Sequence, residues 1–183
     1  MPNQYEDQIA QEKGAYEPQR QHTWVIRVAG FEGFKTLELA LRTGFLPSIS
    51  NEEIEIPYMN SRVYVAGKHM VEAGTIAFND YVDKNTAGIL AEWRKLVYDE
   101  ETGAIGLAAN YKKEGIITLY GPNFETKREW KIRGMWPQNI VYGTLDYGAS
   151  DVVQIETTFR YDDAIPTFIA SSGGLAGVTG GGG

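Results

Sequence analysis

The side chains of this chain that could do chemistry are few in kind. Cysteine is absent, which excludes disulfides, thiol catalysis and cysteine-ligated zinc or iron–sulfur sites. The only histidines, His22 and His69, lack ligand spacing, so a histidine-rich metal site is excluded too. Each could serve as a general base, but neither has a partner motif. Ala66-Gly67-Lys68-His69 ends like a phosphate-binding loop. Arg62, however, stands where that loop needs its first glycine, and His69 where it needs Ser or Thr. Gly30-Phe31-Glu32-Gly33 lacks the spacing of a dinucleotide fingerprint, and Gly148-Ala149-Ser150-Asp151-Val152 lacks the second glycine of a nucleophile elbow. Carboxylates remain. Asp99, Glu100 and Glu101 read as a solvated turn, and Asp162-Asp163 follow a strand. A glycosidase needs two inward carboxylates roughly 5–10 Å apart, and the sequence places no two of them so. No catalytic, metal or cofactor-binding residue emerges, and no cofactor is expected.

Other patterns dominate. The chain has 183 residues, about one domain at roughly 150 residues each, with 43% hydrophobic and 22% charged residues. No apolar run approaches the roughly 18 residues of a membrane helix, so no membrane anchor is expected. The polar, acidic start, Met1 to Glu12, does not read as a secretory signal. The formal charge of −7 is opposite to that of a protein that clamps nucleic acid by neutralising phosphates. Aromatic residues at 12% and 21 glycines indicate a β-rich fold with tight turns.

Along the chain, residues 1–22 read as a polar N-terminal arm and 23–168 as one β domain. Residues 169–183 read as a flexible glycine-rich tail, or a cloning scar: seven of residues 173–183 are glycine. Thr23 to Val28 is a strand, and Phe34 to Leu41 is a strand or a short helix. Residues 48–66 form a two-faced hairpin. Ile54, Ile56 and Tyr58 alternate with Glu53 and Glu55, and Val63 and Val65 alternate with Arg62 and Tyr64. Arg62 beside Glu53 or Glu55 is a favourable cross-strand pair. Such a hairpin either packs on its own core or is an arm that packs on another subunit.

Ala73 to Asn79 is a strand. Residues 85–98 form a helix capped by Asn85 or Thr86, with Ile89, Leu90, Trp93, Leu96 and Val97 as its core stripe and Gly103 ending the turn beyond it. Gly115 to Tyr120, Lys127 to Met135 and Val152 to Tyr161 are further strands, with Trp136-Pro137 closing the middle one. Glu129, Lys131 and Arg133 share one face of that strand. Gln154, Glu156, Thr158 and Arg160 share one face of the last. These are surface positions or the wall of a water-filled channel, and neighbouring strands would let Glu156 meet Lys131 or Arg133.

Gly134-Met135-Trp136-Pro137, then Gly143-Thr144-Leu145-Asp146-Tyr147, then Ser150 through Asp162 resembles the tail tube protein family of contractile-tailed, T4-like phages. The likeness covers roughly residues 20 to 165, and the closing segment is its specific part. It implies a mainly β fold, a β-sandwich or partly closed barrel with one flanking α-helix, shared with type VI secretion tubes. It further implies hexameric rings stacked into a hollow tube inside a contractile sheath. Genomic DNA would pass through the lumen without specific binding. The partners it implies are the chain itself, the sheath protein, and baseplate and tail terminator proteins. The place it implies is the virion, after synthesis in the host bacterial cytoplasm. With the resemblance, the hairpin residues Glu53, Ile54, Glu55, Ile56, Tyr58, Arg62, Val63 and Val65 become expected subunit contacts. The inner tube of a secretion or injection system carrying protein effectors is the alternative. A small β-rich binding module or hydrolase using surface carboxylates is the reading from another class.

Overall fold

The computed structural model describes residues 19–148 and 150–168. The expectations for residues 1–18 of the arm and for the 169–183 tail lie outside the described residues. In chain order the elements are β1 (Trp24–Ala29), α1 (Phe34–Ala40), β2 (Leu41–Thr43), β3 (Ile49–Tyr58), β4 (Ser61–Val71) and β5 (Gly74–Asn79). Then follow α2 (Thr86–Val97), the short α3 (Ala108–Tyr111), β6 (Lys113–Tyr120), β7 (Thr126–Val141), β8 (Gln154–Arg160) and β9 (Asp163–Phe168).

Two antiparallel layers share one long strand. The first layer runs β1–β6–β7–β9 and the second β7–β8–β5–β2. β7 has 16 residues, about 50 Å of extended chain, which is more than one flat layer of this size can use. Its first half pairs with β6 and β9, and its second half with β8. β8 and β9 are two halves of a single companion strand. Pro137 faces Phe159, Trp136 faces Arg160, and after the crease Arg133 faces Asp163, in unbroken register.

The crease falls at Gly134, whose φ of +65° suits a residue without a Cβ. A Cβ there would also strike the Asp162 carboxylate. That carboxylate is held by Lys112 Nζ at 2.7 and 2.8 Å, while the Asp162 N–H donates to the Arg133 carbonyl at 2.9 Å. The ribbon therefore bends without losing its pairing. The result is a mainly β, partly closed sandwich, as the resemblance implies.

Period-two alternation fills the space between the layers. Ile26, Ile117, Trp130 and Ile132 from the first layer, and Ile76, Phe78, Ile155 and Phe159 from the second, are buried. Phe34 to Ala40, open to two readings from sequence, is helical and buries Phe34, Leu37 and Ala40. α2 closes the remaining gap. Asn85 is its cap, accepting from the Gly88 N–H at 3.2 Å. Trp93 is fully buried among Phe31, Phe34 and Phe159, with ring centroids 5.1, 6.3 and 5.5 Å away. Its Nε1–H donates to the Tyr111 carbonyl at 2.9 Å, which satisfies the one polar atom of the ring.

Four expectations need correction. Of the proposed stripe, Leu90 and Trp93 are buried and Ile89 and Val97 are half-buried, but Leu96 is 41% exposed. It lies at the edge of the stripe, where the helix turns toward solvent. Trp136-Pro137 does not close a strand: β7 continues to Val141. Beyond Met135 the β6 side of β7 is unpaired, and the β8 pairing is irregular between Pro137 and Asn139. The missing proline N–H therefore costs no ladder bond. β7 and β8 are neighbours as expected, but Glu156 faces Val141 and Ala77, not Lys131 or Arg133. Lys131 pairs instead with Glu114 at 3.3 Å. Finally, α1 joins α2, so the flanking helix is not alone.

Two outcomes follow. Trp93→Ala removes the aromatic that joins α2 to both layers, and should lower unfolding free energy by about 3–5 kcal/mol in urea titrations. Tyr161 is buried against Phe45, and burial pushes its hydroxyl above the ordinary phenol value of 10.0, against opposing pulls from the Ser48 backbone and Arg160. A raised folded-state value means this contribution is intact below pH 10 and is lost as pH rises through the folded value. As pH rises past 10 the urea midpoint should therefore fall more steeply for the natural chain than for Tyr161→Phe.

Candidate assembly surfaces

The hairpin of β3 and β4 is a separate two-stranded sheet that joins neither layer. It is longer than the sequence pattern suggests, reaching Val71 where the alternation points to residue 66. The reason is a bulge. Asn51 faces His69 and Glu53 faces Ala66, so β4 carries one extra residue at Gly67–Lys68, and the alternation changes phase there. Gly67 permits the close approach: a Cβ would lie 3.0 Å from the Glu52 carbonyl.

Its register sorts the side chains into two faces. Ile54 faces Val65, Ile56 faces Val63, and Tyr58 stands beside them above Ser61. These five apolar residues are 42–64% exposed. On the reverse face Glu53 lies against Ala66, Glu55 against Tyr64, and Arg62 against Pro57. Arg62 Nε approaches Glu55 Oε1 at 3.2 Å, the diagonal pair expected from the sequence. Among the described residues this apolar face belongs to a sheet that joins neither layer and stands about half in solvent.

The root, by contrast, is fastened. Val71 and Phe45 pack against the core. Phe45 stacks on Tyr161 at 5.7 Å, and a Cβ on Gly74 would strike the Phe45 ring. His69 Nε2 lies 3.7 Å from Asp163 Oδ1, and its Nδ1 lies 3.5 Å from Asn51 Oδ1. The arm thus has a fixed root and an exposed apolar face.

The two strand faces singled out from the sequence lie on different layers. Glu129, Lys131 and Arg133 are on the outer face of β1–β6–β7–β9, with Arg27, Glu114 and Asp163, a surface dense in both signs of charge. Gln154, Glu156, Thr158 and Arg160 are on the outer face of β7–β8–β5–β2. Their cross-strand partners there are Asn79, Ala77, Thr75, Asn139, Val141 and Trp136. That face is mainly small and polar. Its layer also ends in two unpaired strand edges, β2 on one side and the second half of β7 on the other, among the described residues.

Large apolar side chains that the periodicity analysis passed over also stand in solvent. Ile105, Leu107, Phe124, Leu145 and Tyr147 are more than two-thirds exposed. They sit in loops, where no period marks a side chain as inward or outward. Only the Gly143 to Tyr147 stretch carried a sequence signal.

Asp99 is a turn residue whose Oδ1 accepts from the Glu101 N–H at 3.0 Å, and chiefly that bond holds its carboxyl below the usual range. Among the described residues no group of three His, Asp or Glu side chains is placed to hold a metal ion, and no helix is long and apolar enough to cross a membrane.

No protein-family profile matches the chain. In sequence it is 26% identical over 156 residues to the tail tube protein of Serratia phage KSP90, covering 80% of this chain and 88% of that protein. It is 28% identical over 122 residues to the tail tube protein of Enterobacteria phage T4, covering 64% and 74%. In fold it is similar to a chain of an extracellular contractile injection system, the PVC sheath–tube complex in its extended state. There the TM-score is 0.63 at 19% identity, over 89% of this chain and 97% of that one. It is also similar to a chain of the anti-feeding prophage cap that terminates the tube, with a TM-score of 0.67 at 13% identity, over 84% and 93%.

Because the hairpin face stands in solvent among the described residues, Ile56→Asp should change unfolding free energy by less than about 0.5 kcal/mol. The same substitution should abolish self-association in sedimentation velocity. A variant that unfolds would place this face in the core, and one that associates normally would remove it from the interface.

Proposed function

We propose that this chain, a sequence relative of phage tail tube proteins built on the tube fold of contractile injection systems, is the structural subunit of a phage tail tube. The observation that carries the reading is the match to a tail tube protein along 156 residues, four-fifths of the chain. In this reading subunits form hexameric rings that stack into a hollow tube within a contractile sheath. The tube is the conduit for DNA ejection, a virion component with no catalytic role. Its partners are its own copies, the sheath protein, and the baseplate and terminator proteins.

The surfaces support this assignment physically. A ring needs two different, complementary surfaces on each subunit. The layer β7–β8–β5–β2 offers two unpaired edges on opposite sides, so copies can join edge to edge and satisfy exposed backbone groups. Its small, polar outer face suits a channel wall. Gln154, Glu156, Thr158 and Arg160 then look into the lumen, and Glu129, Lys131 and Arg133 look outward. A chain with net charge −7 offers DNA little general attraction, so the polymer slides instead of binding. The fastened hairpin, through Glu53, Ile54, Glu55, Ile56, Tyr58, Arg62, Val63 and Val65, reaches a neighbouring subunit.

The likeness to an extracellular injection system favours a second reading, an inner tube that carries protein effectors. The cargo inside purified particles separates the two: nuclease-sensitive DNA or folded protein.

Negative-stain electron microscopy of the untagged protein over a concentration series tests the reading. Rings and hollow tubes are expected. Failure to polymerise, followed by failure to elongate added baseplates or tube seeds, would overturn it. Reversing one charge of the hairpin pair, Arg62→Glu, should weaken assembly while the subunit stays folded.

A further inference from the structure

The edge-to-edge ring leaves two features unused, and they lie on opposite sides of one layer. The first follows β7. The stretch from Tyr142 to Gly148 leaves the unpaired half of that strand and holds Leu145 and Tyr147 almost wholly in solvent. Among the described residues, the charged side chains beside it that lie off the channel face, Asp146 and Asp151, are acidic. The second feature adjoins β2, at the other edge. A groove of about 550 Å³ opens between β1, β6 and the segment after β2. Its floor is apolar, made by Trp24, Phe45, Leu46, Ile117 and Leu119, and Arg42 lies among its described lining residues.

We infer that the 142–148 loop of one subunit docks in the β2-side groove of the next copy, with Leu145 and Tyr147 on the apolar floor and Asp146 facing Arg42. The inference rests on the tube reading and adds to it a specific contact.

Three observations carry it. The two surfaces match in character, apolar centre to apolar centre, and in sign, Asp146 to Arg42. The groove volume falls within the range of pockets that bury compact apolar groups. The positions match as well: β7 and β2 are the two ends of the β7–β8–β5–β2 order. When the β7 edge of one copy approaches the β2 edge of the next, the loop and groove are carried toward each other. The contact is heterologous, so repeating it closes a ring or continues a helix. Gly44 has a packing role at the groove: a Cβ there would press on the Trp24 ring at 2.7 Å, so a larger residue would shift the floor.

The natural chain has no cysteine, which makes disulfide trapping unambiguous. In the double variant Leu145→Cys with Leu46→Cys, mild oxidation of assembled protein should give a ladder of covalent multimers on non-reducing gels. Each single variant should stop at dimers or below. A second variant, Arg42→Glu, should raise the concentration needed for rings by about ten-fold, and Asp146→Lys should restore part of that loss. Rings or tubes that form normally, yet give no ladder and no response to Arg42→Glu, would overturn the docking and leave the tube reading standing. Absence of any assembly from the natural chain, even on added seeds, would remove both.

Discussion

The structure depends on one bend. β7 and its companion β8–β9 form a ribbon too long for a single layer, and the fold solves this by creasing the ribbon at Gly134 opposite Asp162. Pairing survives the bend because the Asp162 N–H still reaches the Arg133 carbonyl. The bend stays open because the Asp162 side chain turns outward to Lys112, just before β6. Everything else is placed by this crease. It sets the angle between layers, the gap that α2 must fill, and the point where the second half of β7 loses its β6 neighbour and becomes a free edge.

That arrangement divides the molecule into parts with different obligations. The interior is closed by aromatic contacts: Trp93 gathers Phe31, Phe34 and Phe159 at one site, and Phe45 and Tyr161 stack at the hairpin root. The periphery carries little obligation to the subunit itself. Its ion pairs are exposed and contribute about 0–1 kcal/mol each, so they do not hold the fold. The pattern of surface charge matters more for partners: mixed signs on one outer face, small polar residues on the other, acid beside one loop and Arg42 beside one groove.

How much of this was legible in the sequence varied with the physical cause. Gln154, Glu156, Thr158 and Arg160 share one face, as the alternation indicates, because period two is dictated by the pleat. The helix and its cap were legible for the same kind of reason, as Asn85 accepts from Gly88 where a cap should. The hairpin pair Arg62–Glu55 was visible because both residues flank one turn. Strand ends were less visible. Pro137 looks like a terminator, and only the loss of a neighbour on one side of β7 makes it harmless. The bulge at Gly67 hid the lower half of the hairpin by shifting the phase of alternation. Leu145 and Tyr147 belong to a stretch that carries the resemblance, but no periodicity marks them as exposed, since solvent exposure in a loop is decided by distant chain. The partner of Glu156 was missed because register is set by the whole ribbon, not by charge.

The freestanding hairpin has a consequence for when order is acquired. An isolated two-stranded sheet is marginal in water, and β3–β4 shares no ladder with either layer. Its amide protons are therefore guarded by a local equilibrium, separate from the cooperative unfolding of the creased core. In a lone subunit these amides should exchange with solvent before those of β6 or β8. In the proposed tube, a neighbour covering the Ile54, Ile56 and Val63 face would slow them toward the rate of the core. The arm would then report incorporation, with one exchange rate for a subunit in waiting and another for a subunit in place.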